Sequence, residues 1–256
     1  FGAYLNLYLK NDPKEAITLT ITDAKGNTVR NLKDTVSKAG VNRIIWDLRY
    51  TEEEKLNNPV KSGWGGSPLR VLVPPGVYTA IIKANGQTVE TKITVRGDPR
   101  IKMSEQDFKL KTETTLALRD QLSQTHRLIN RTDETIKQLT ELKQRIQAAG
   151  SDAGVDKSTQ EQIDVTIKKL REYEDEILRR PPPNMGYRQR PRLKEEISDL
   201  ADAVDGATAR PTQPQMNRLG ELNQETETAT KQLNQIIEEN IIPINKKKKN
   251  LPQVIT

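Results

Sequence analysis

The chain contains no cysteine. That removes disulfide frameworks, thiolate nucleophiles and cysteine metal sites together. It leaves the compartment open, because an exported protein need not be cross-linked. Histidine occurs once, at position 126. A lone imidazole cannot make a His-rich metal site, so His126 reads as structural and no metal or cofactor is expected. No apolar run approaches the ~18 residues that a membrane-spanning helix needs. Aromatics are 4% of the chain, and none sits near the only long run of one charge sign, Lys246-Lys247-Lys248-Lys249. Nucleic-acid surfaces interleave cations with aromatics. The lysine run therefore reads as a solvated helix end, where cations are favoured, and no nucleic-acid partner is expected. GxSxG, Walker A, GxGxxG and EF-hand patterns are all missing. Glu172-Tyr173-Glu174-Asp175-Glu176 is acidic, but on a helix its members point in different directions. A glycosidase pair needs two carboxylates about 5–10 Å apart in a cleft, which helix-surface acids do not supply.

What is present is periodic. Of 256 residues 34% are hydrophobic and 30% charged, with a mean hydropathy of −0.75. The length has room for two domains with slim cores. The net charge of +6 is uneven: residues 1–100 hold 15 Lys+Arg against 10 Asp+Glu, whereas 101–256 hold 26 against 25. The chain starts at Phe1, inside a strand pattern and with no signal peptide, so it is expected to be a fragment of a longer protein.

The first hundred residues alternate with period 2. Strands are expected at residues 4–10, 16–21, 28–32 and 41–48, and a hairpin over 77–95. Pro74-Pro75-Gly76 fixes the approach to that hairpin, and Asn85-Gly86 between alternating runs is a strong tight-turn signal. Tyr78, Ala80 and Ile82 share one face, and Trp46 reads as a core anchor. About six strands at this spacing argue for a β-sandwich. Between Tyr50 and Pro74 lies a long irregular stretch containing Ser62-Gly63-Trp64-Gly65-Gly66. Loops of this length are uncommon unless functional or disordered. Trp64 has two readings, cover for its own domain or an exposed docking aromatic.

After Gly97-Asp98-Pro99-Arg100 the period becomes helical. Ser104, with Asp107 three residues on, reads as a capping box. Thr115, Leu118, Leu122, Thr125, Ile129, Thr132, Ile136, Leu139 and Ile146 then follow heptad spacing on a helix about 65 Å long, with threonines loosening the seam. A turn is expected at 149–154, a second helix from Ser158 to the Pro181-Pro182-Pro183 stop, a third after Pro191, and a fourth capped by Thr212 and ended or kinked at Pro243. Each carries one apolar stripe, so the stripes must bury one another, the long first and fourth helices pairing antiparallel. The basic segment Arg188-Gln189-Arg190-Pro191-Arg192 could hold an anion, or bond helix-end carbonyls and acidic neighbours. The expected architecture is α+β and multidomain: an N-terminal Ig-like or FnIII-like β-sandwich over 1–97, a linker at 98–103, an antiparallel four-helix bundle over 104–250 and a tail at 251–256.

The ordered segments Tyr4-Leu5-Asn6-Leu7-Tyr8-Leu9-Lys10, Gly40-Val41-Asn42-Arg43-Ile44-Ile45-Trp46-Asp47-Leu48-Arg49-Tyr50, Pro75-Gly76-Val77-Tyr78-Thr79 and Asp98-Pro99-Arg100 resemble the C-terminal region of bacterial sortilin-like propeller proteins. These are often labelled BNR-repeat or glycosyl-hydrolase-like. The helical half is compatible with that family but less specific, and the β-domain is also similar to the Ig-like domain of flagellar hook-capping proteins. The resemblance implies export to the periplasm, cell surface or exterior, and an upstream β-propeller that would hold any active site, so no catalytic residue carries over to this chain. The leading expectation is a non-catalytic docking or assembly region whose partner is the propeller or another subunit. The alternatives are a carbohydrate-binding accessory module, with Trp64 and Tyr50 as the sugar platform, and part of a hydrolase whose active site lies elsewhere. Candidate binding residues are Trp64, Tyr50, Arg188 and Arg190.

Overall fold

In the computed structural model the chain is mixed α+β, with two small antiparallel sheets and helices that follow them. The structure describes residues 1–34, 37–59, 68–149, 156–181, 189–247 and 253–255. Among them the chain forms two compact units. The sheet unit takes Phe1–Glu52, Pro68–Leu116 and Ala203–Thr212; the helical unit takes Glu53–Ser67, Ala117–Asp202 and Gln213–Thr256. These limits do not follow the expected 98–103 linker. The first turns of the long helix belong with the sheets, where Phe108 lies close to Gly97.

In the sheet unit β1 (Ala3–Leu9) pairs antiparallel with β4 (Gly40–Trp46), from Ala3 opposite Trp46 to Leu9 opposite Gly40. The second sheet has the order β3-β2-β5-β6, from β2 (Ile17–Thr22), β3 (Thr28–Asp34), β5 (Gly76–Ala84) and β6 (Gln87–Val95). Alternation decides which side each sheet buries. Leu5, Leu9, Ile44 and Trp46 from the first sheet join Ile17, Leu19, Ile21, Tyr78 and Ala80 from the second in one core cluster. Trp46 is fully buried, donates its indole N–H to the Arg49 carbonyl at 3.0 Å and meets Tyr78 edge-on at 5.3 Å. The β5–β6 turn is the expected one. Asn85 and Gly86 have φ of 49° and 75°, the two positive angles that a type I′ turn requires.

The long helix α1 (Glu105–Ala149) starts at Ser104, whose hydroxyl accepts the Asp107 N–H at 3.1 Å and donates to the Asp107 carboxylate at 2.7 Å. Helix α2 (Lys157–Tyr173) is capped by Asp156, which accepts the Thr159 N–H at 2.7 Å; it ends in a wide π-helical turn, Glu174–Leu178. Helix α3 (Leu193–Gly206) follows, then α4 (Gln213–Ile236). A second π turn, Ile237–Ile241, leads into α5 (Ile242–Lys247). Pro243 has no N–H to give, and beside it the Ile242 N–H reaches back five residues to Ile237. Residues 253–255 do not hang free: Val254 is buried and its backbone bonds both ends of the Asn245 amide, at 3.0 and 2.9 Å.

Ile129, Leu139, Ile163, Leu170, Leu222 and Leu233 are fully buried in the helical unit. The seam threonines are buried among them, and each hydroxyl donates to the carbonyl one turn back: Thr125 to Gln121 at 3.0 Å, Thr132 to Leu128 at 2.8 Å, Thr166 to Gln162 at 2.7 Å and Thr226 to Leu222 at 2.8 Å. The expected antiparallel pairing of the first and fourth helices is not what forms. Gln121 bonds the Leu219 carbonyl and Asn223, Gln124 bonds Thr230 and Arg131 bonds Asn234, so the numbering rises together and α1 and α4 run parallel. It is α2 that runs against α1, with Lys143 on Asp164 and Asp133 on Arg179.

Candidate functional site

Two of the four candidate residues are described, Tyr50 in the sheet unit and Arg190 in the helical unit. Trp64 and Arg188 lie outside the described residues. Tyr50 is half-buried against the core of the sheets; its N–H bonds the Val71 carbonyl at 2.9 Å and its own carbonyl accepts from Arg30 at 2.7 Å. Arg190 is exposed in the helical unit. Its carbonyl accepts from Arg180 at 3.3 Å and from Arg192 at 3.1 Å, and its guanidinium is 3.9 Å from Glu176. It lines a groove of about 660 Å³ whose other charges include Arg192, Glu176, Glu196, Glu221 and Glu225. Arg218 ties three of those carboxylates, Glu196, Glu221 and Glu225.

The sheet unit also holds a cleft of about 760 Å³ with mostly apolar walls, including Leu48, Val73, Val95, Met103 and Phe108. At its polar end the Lys111 ammonium donates to the Asp205 and Ala207 carbonyls, both at 2.7 Å, and so caps the end of α3. No nucleophile is paired with a base there. The Asp98 carboxyl at the rim is held down to about 2 by its hydrogen bonds from Arg100.

The outer face of β1 and β4 differs. Tyr4 and Ile45 stand opposite each other, as do Tyr8 and Val41, and their exposures are 55%, 49%, 73% and 78%. Between these rows Arg43 donates to Asn6 at 2.9 Å and its guanidinium lies 5.1 Å from the centre of the Tyr4 ring. Arg43 is the one charged residue within the two strands, and Lys10, also exposed, follows the end of β1. Neither strand has a second partner, so both edges of this sheet are open among the described residues. The β1 strand, AYLNLYL, has no charge and no proline. Such an edge invites pairing with another strand. By contrast β6, one edge of the other sheet, carries Glu90 and Lys92. Tyr4, Tyr8, Val41 and Ile45 were missed as binding residues, yet the signal was legible: they fall on the polar phase of the alternation whose other phase is Leu5, Leu9, Ile44 and Trp46.

In the helical unit the segment 54–58 is held against α1 by a stripe of polar side chains. Ser123 accepts the Glu54 N–H at 3.1 Å, and the His126 Nδ1 lies 2.5 Å from the Glu54 carbonyl. Arg127 bonds the Glu54 carboxylate at 3.0 Å. The Asn130 amide accepts from the Asn57 N–H at 2.8 Å and donates to the Lys55 carbonyl at 2.9 Å. Positions 123, 126, 127 and 130 share one helix face. Beyond them Arg179, itself buried, donates to the Asn58 carbonyl at 2.9 Å and pairs with Glu174 and Asp133.

Among the described residues no group of three or more histidines and carboxylates is placed to hold a metal ion, and no helix is long and apolar enough to cross a membrane. No family model, curated protein or solved structure matches the chain.

Proposed function

We propose that this chain is a non-catalytic docking and assembly region, an Ig-like β-sandwich with a helical bundle, belonging to an exported bacterial propeller protein. The observation that carries the reading is β1. It is an uncharged strand with an open edge, and beside it Tyr4, Tyr8, Val41 and Ile45 project into solvent. Exposed apolar patches rimmed by polar groups mark interaction sites, and tyrosine brings large contact area at low entropic cost. The occupant is a protein surface that adds a strand to β1, and the resemblance makes the upstream propeller the first candidate. Among the described residues, the groove beside Arg190 and the cleft beside Phe108 bring together no nucleophile and base, which favours binding over turnover there.

Hydrogen exchange on the chain alone and joined to the propeller tests this. The amides of residues 4–9 should slow on joining, and Tyr8→Lys should abolish the slowing without lowering the melting temperature of the chain alone. Unchanged exchange along β1 would overturn the docking surface. The purified chain should show no turnover of aryl glycosides or peptides; activity removed by one substitution within it would overturn the non-catalytic reading.

A further inference from the structure

We propose that the groove beside β1 receives a donated strand, an extended peptide with β-branched apolar residues on one side and a carboxylate at the end that meets Lys10. The proposal rests on the reading of β1 as a docking edge and adds the floor on which the strand lies. Cover from the first sheet stops between β5 and β6. Ala80 and Ile82 of β5 are buried, whereas Thr91 and Val89, which stand opposite them on the same side of β6, are exposed, Val89 to 60%. These uncovered positions and the open edge of β1 line one groove of about 780 Å³, with Ile82 and Ala84 at its inner wall. Neighbouring strands lie about 4.8 Å apart in a sheet. One more strand beside β1 would therefore lie over Val89 and Thr91, with its inward side chains against theirs.

Three observations choose the occupant. Every second N–H and C=O of β1 points away from β4, so the main chain offers bonds to an extended segment of its own length, 7 residues. The floor presents the methyl groups of Val89 and Thr91 and the flank of Ile82, which fit inward-facing β-branched side chains. Lys10 is the one charged residue that lines the groove, and no acid lines it, so the complementary end of the strand is acidic. A second copy of the chain fits less well. In each copy β6 reaches past β1 to form the floor, so antiparallel pairing of two β1 strands would bring the two β6 strands into the same space.

The probe is a synthetic peptide of the length of β1, blocked at both ends, with valine at alternate positions, threonine between them and aspartate at each end. Added to the chain, it should slow hydrogen exchange at one alternate set of β1 amides, the set that faces the open edge. The same peptide with its central valine replaced by proline should lose the effect. No slowing with the peptide at about 1 mM, a weak affinity, would overturn the proposal; so would slowing that the proline peptide reproduces. Slowing of the same amides on concentrating the chain alone would make a second copy the occupant and overturn it as well. Val89→Asp puts a charge on the floor where the strand would desolvate it, and should weaken the peptide by at least about tenfold at an unchanged melting temperature. Binding equal to the parent's would overturn the groove. If that variant melts lower, Thr91→Asp decides by the same criterion. The docking surface has its own readout, the slowing of residues 4–9 on joining to the propeller. Where that persists and the peptide fails, the groove falls and the docking surface stands.

Discussion

Replacing Arg179 by methionine should cost the protein about 3–5 kcal/mol, the usual penalty for breaking a buried ion pair from one side. The side chain is 8% exposed, and one guanidinium serves three acceptors: Glu174 at 2.5 Å from Nε, both Asp133 oxygens at 3.2 and 3.1 Å, and the Asn58 carbonyl at 2.9 Å. Methionine keeps the apolar stem and removes every donor. Asp133 is less buried than Glu174 and can turn toward water, so most of the penalty falls on Glu174. With a urea slope of about 2 kcal/mol/M the unfolding midpoint should drop by roughly 1.5–2.5 M. The pH dependence identifies the cause. Burial already raises the Glu174 carboxyl above its ordinary 4.5, opposed by Arg179. Without Arg179 it rises further. An acid raised on folding contributes stability that is present below its unfolded value and lost as pH rises through the folded one. The deficit of Arg179→Met should therefore be smaller at pH 5 than at pH 8. Adding Glu174→Gln to Arg179→Met should recover part of it at pH 8. A single variant within 1 kcal/mol of the parent, or a deficit equal at the two pH values, would refute the reasoning.

Three further outcomes are expected. Trp46→Ala should lower stability in urea by about 3–5 kcal/mol, because it empties the centre of the sheet core and strips the edge-on Tyr78 contact; a variant as stable as the parent would contradict the core position. Thr226→Val should raise stability by up to about 1 kcal/mol, since the buried hydroxyl bonds only a carbonyl of its own helix; a loss of more than 1 kcal/mol would show that the hydroxyl has a further role. Asp156→Ala should cost about 1 kcal/mol by uncapping α2, and a neutral result by thermal melting would mean the cap is not formed in solution.

The strands were legible because each sheet buries one side only, so Leu5, Leu9, Ile17, Leu19, Tyr78 and Ala80 leave a period-2 trace. The heptad positions of α1 were legible for the same reason, and of those expected inward only Ile136 stays half-buried. Helix direction left no such trace. An apolar stripe says which side is covered, not which way the neighbour runs, so the parallel course of α4 beside α1 could not be read from Leu222 and Leu233. The polar row on α1 was equally hidden. His126 read as structural and nothing in the pattern singled out Ser123, Arg127 or Asn130; only the returning backbone of residues 54–58 turns them into a row of partners. The threonines looked like weak points in the seam; back-bonding to their own helix is what lets them be buried.

The allotment of chain segments to the two compact units has a consequence for synthesis. The sheet unit ends with Ala203–Thr212, and the helical unit begins at Glu53, far upstream. On the ribosome all six strands exist by residue 95, but the segments that complete their unit appear only after α2 and most of α3 have been made. The sheets therefore wait more than a hundred residues of further translation for Ala203–Thr212, and the uncharged edge of β1, open in the folded chain as well, is open throughout. Unpaired strand edges are the surfaces on which nascent chains aggregate. A protein ending at the expected 98–103 boundary would remain in that unfinished condition, lacking both the first turns of α1 and the end of α3.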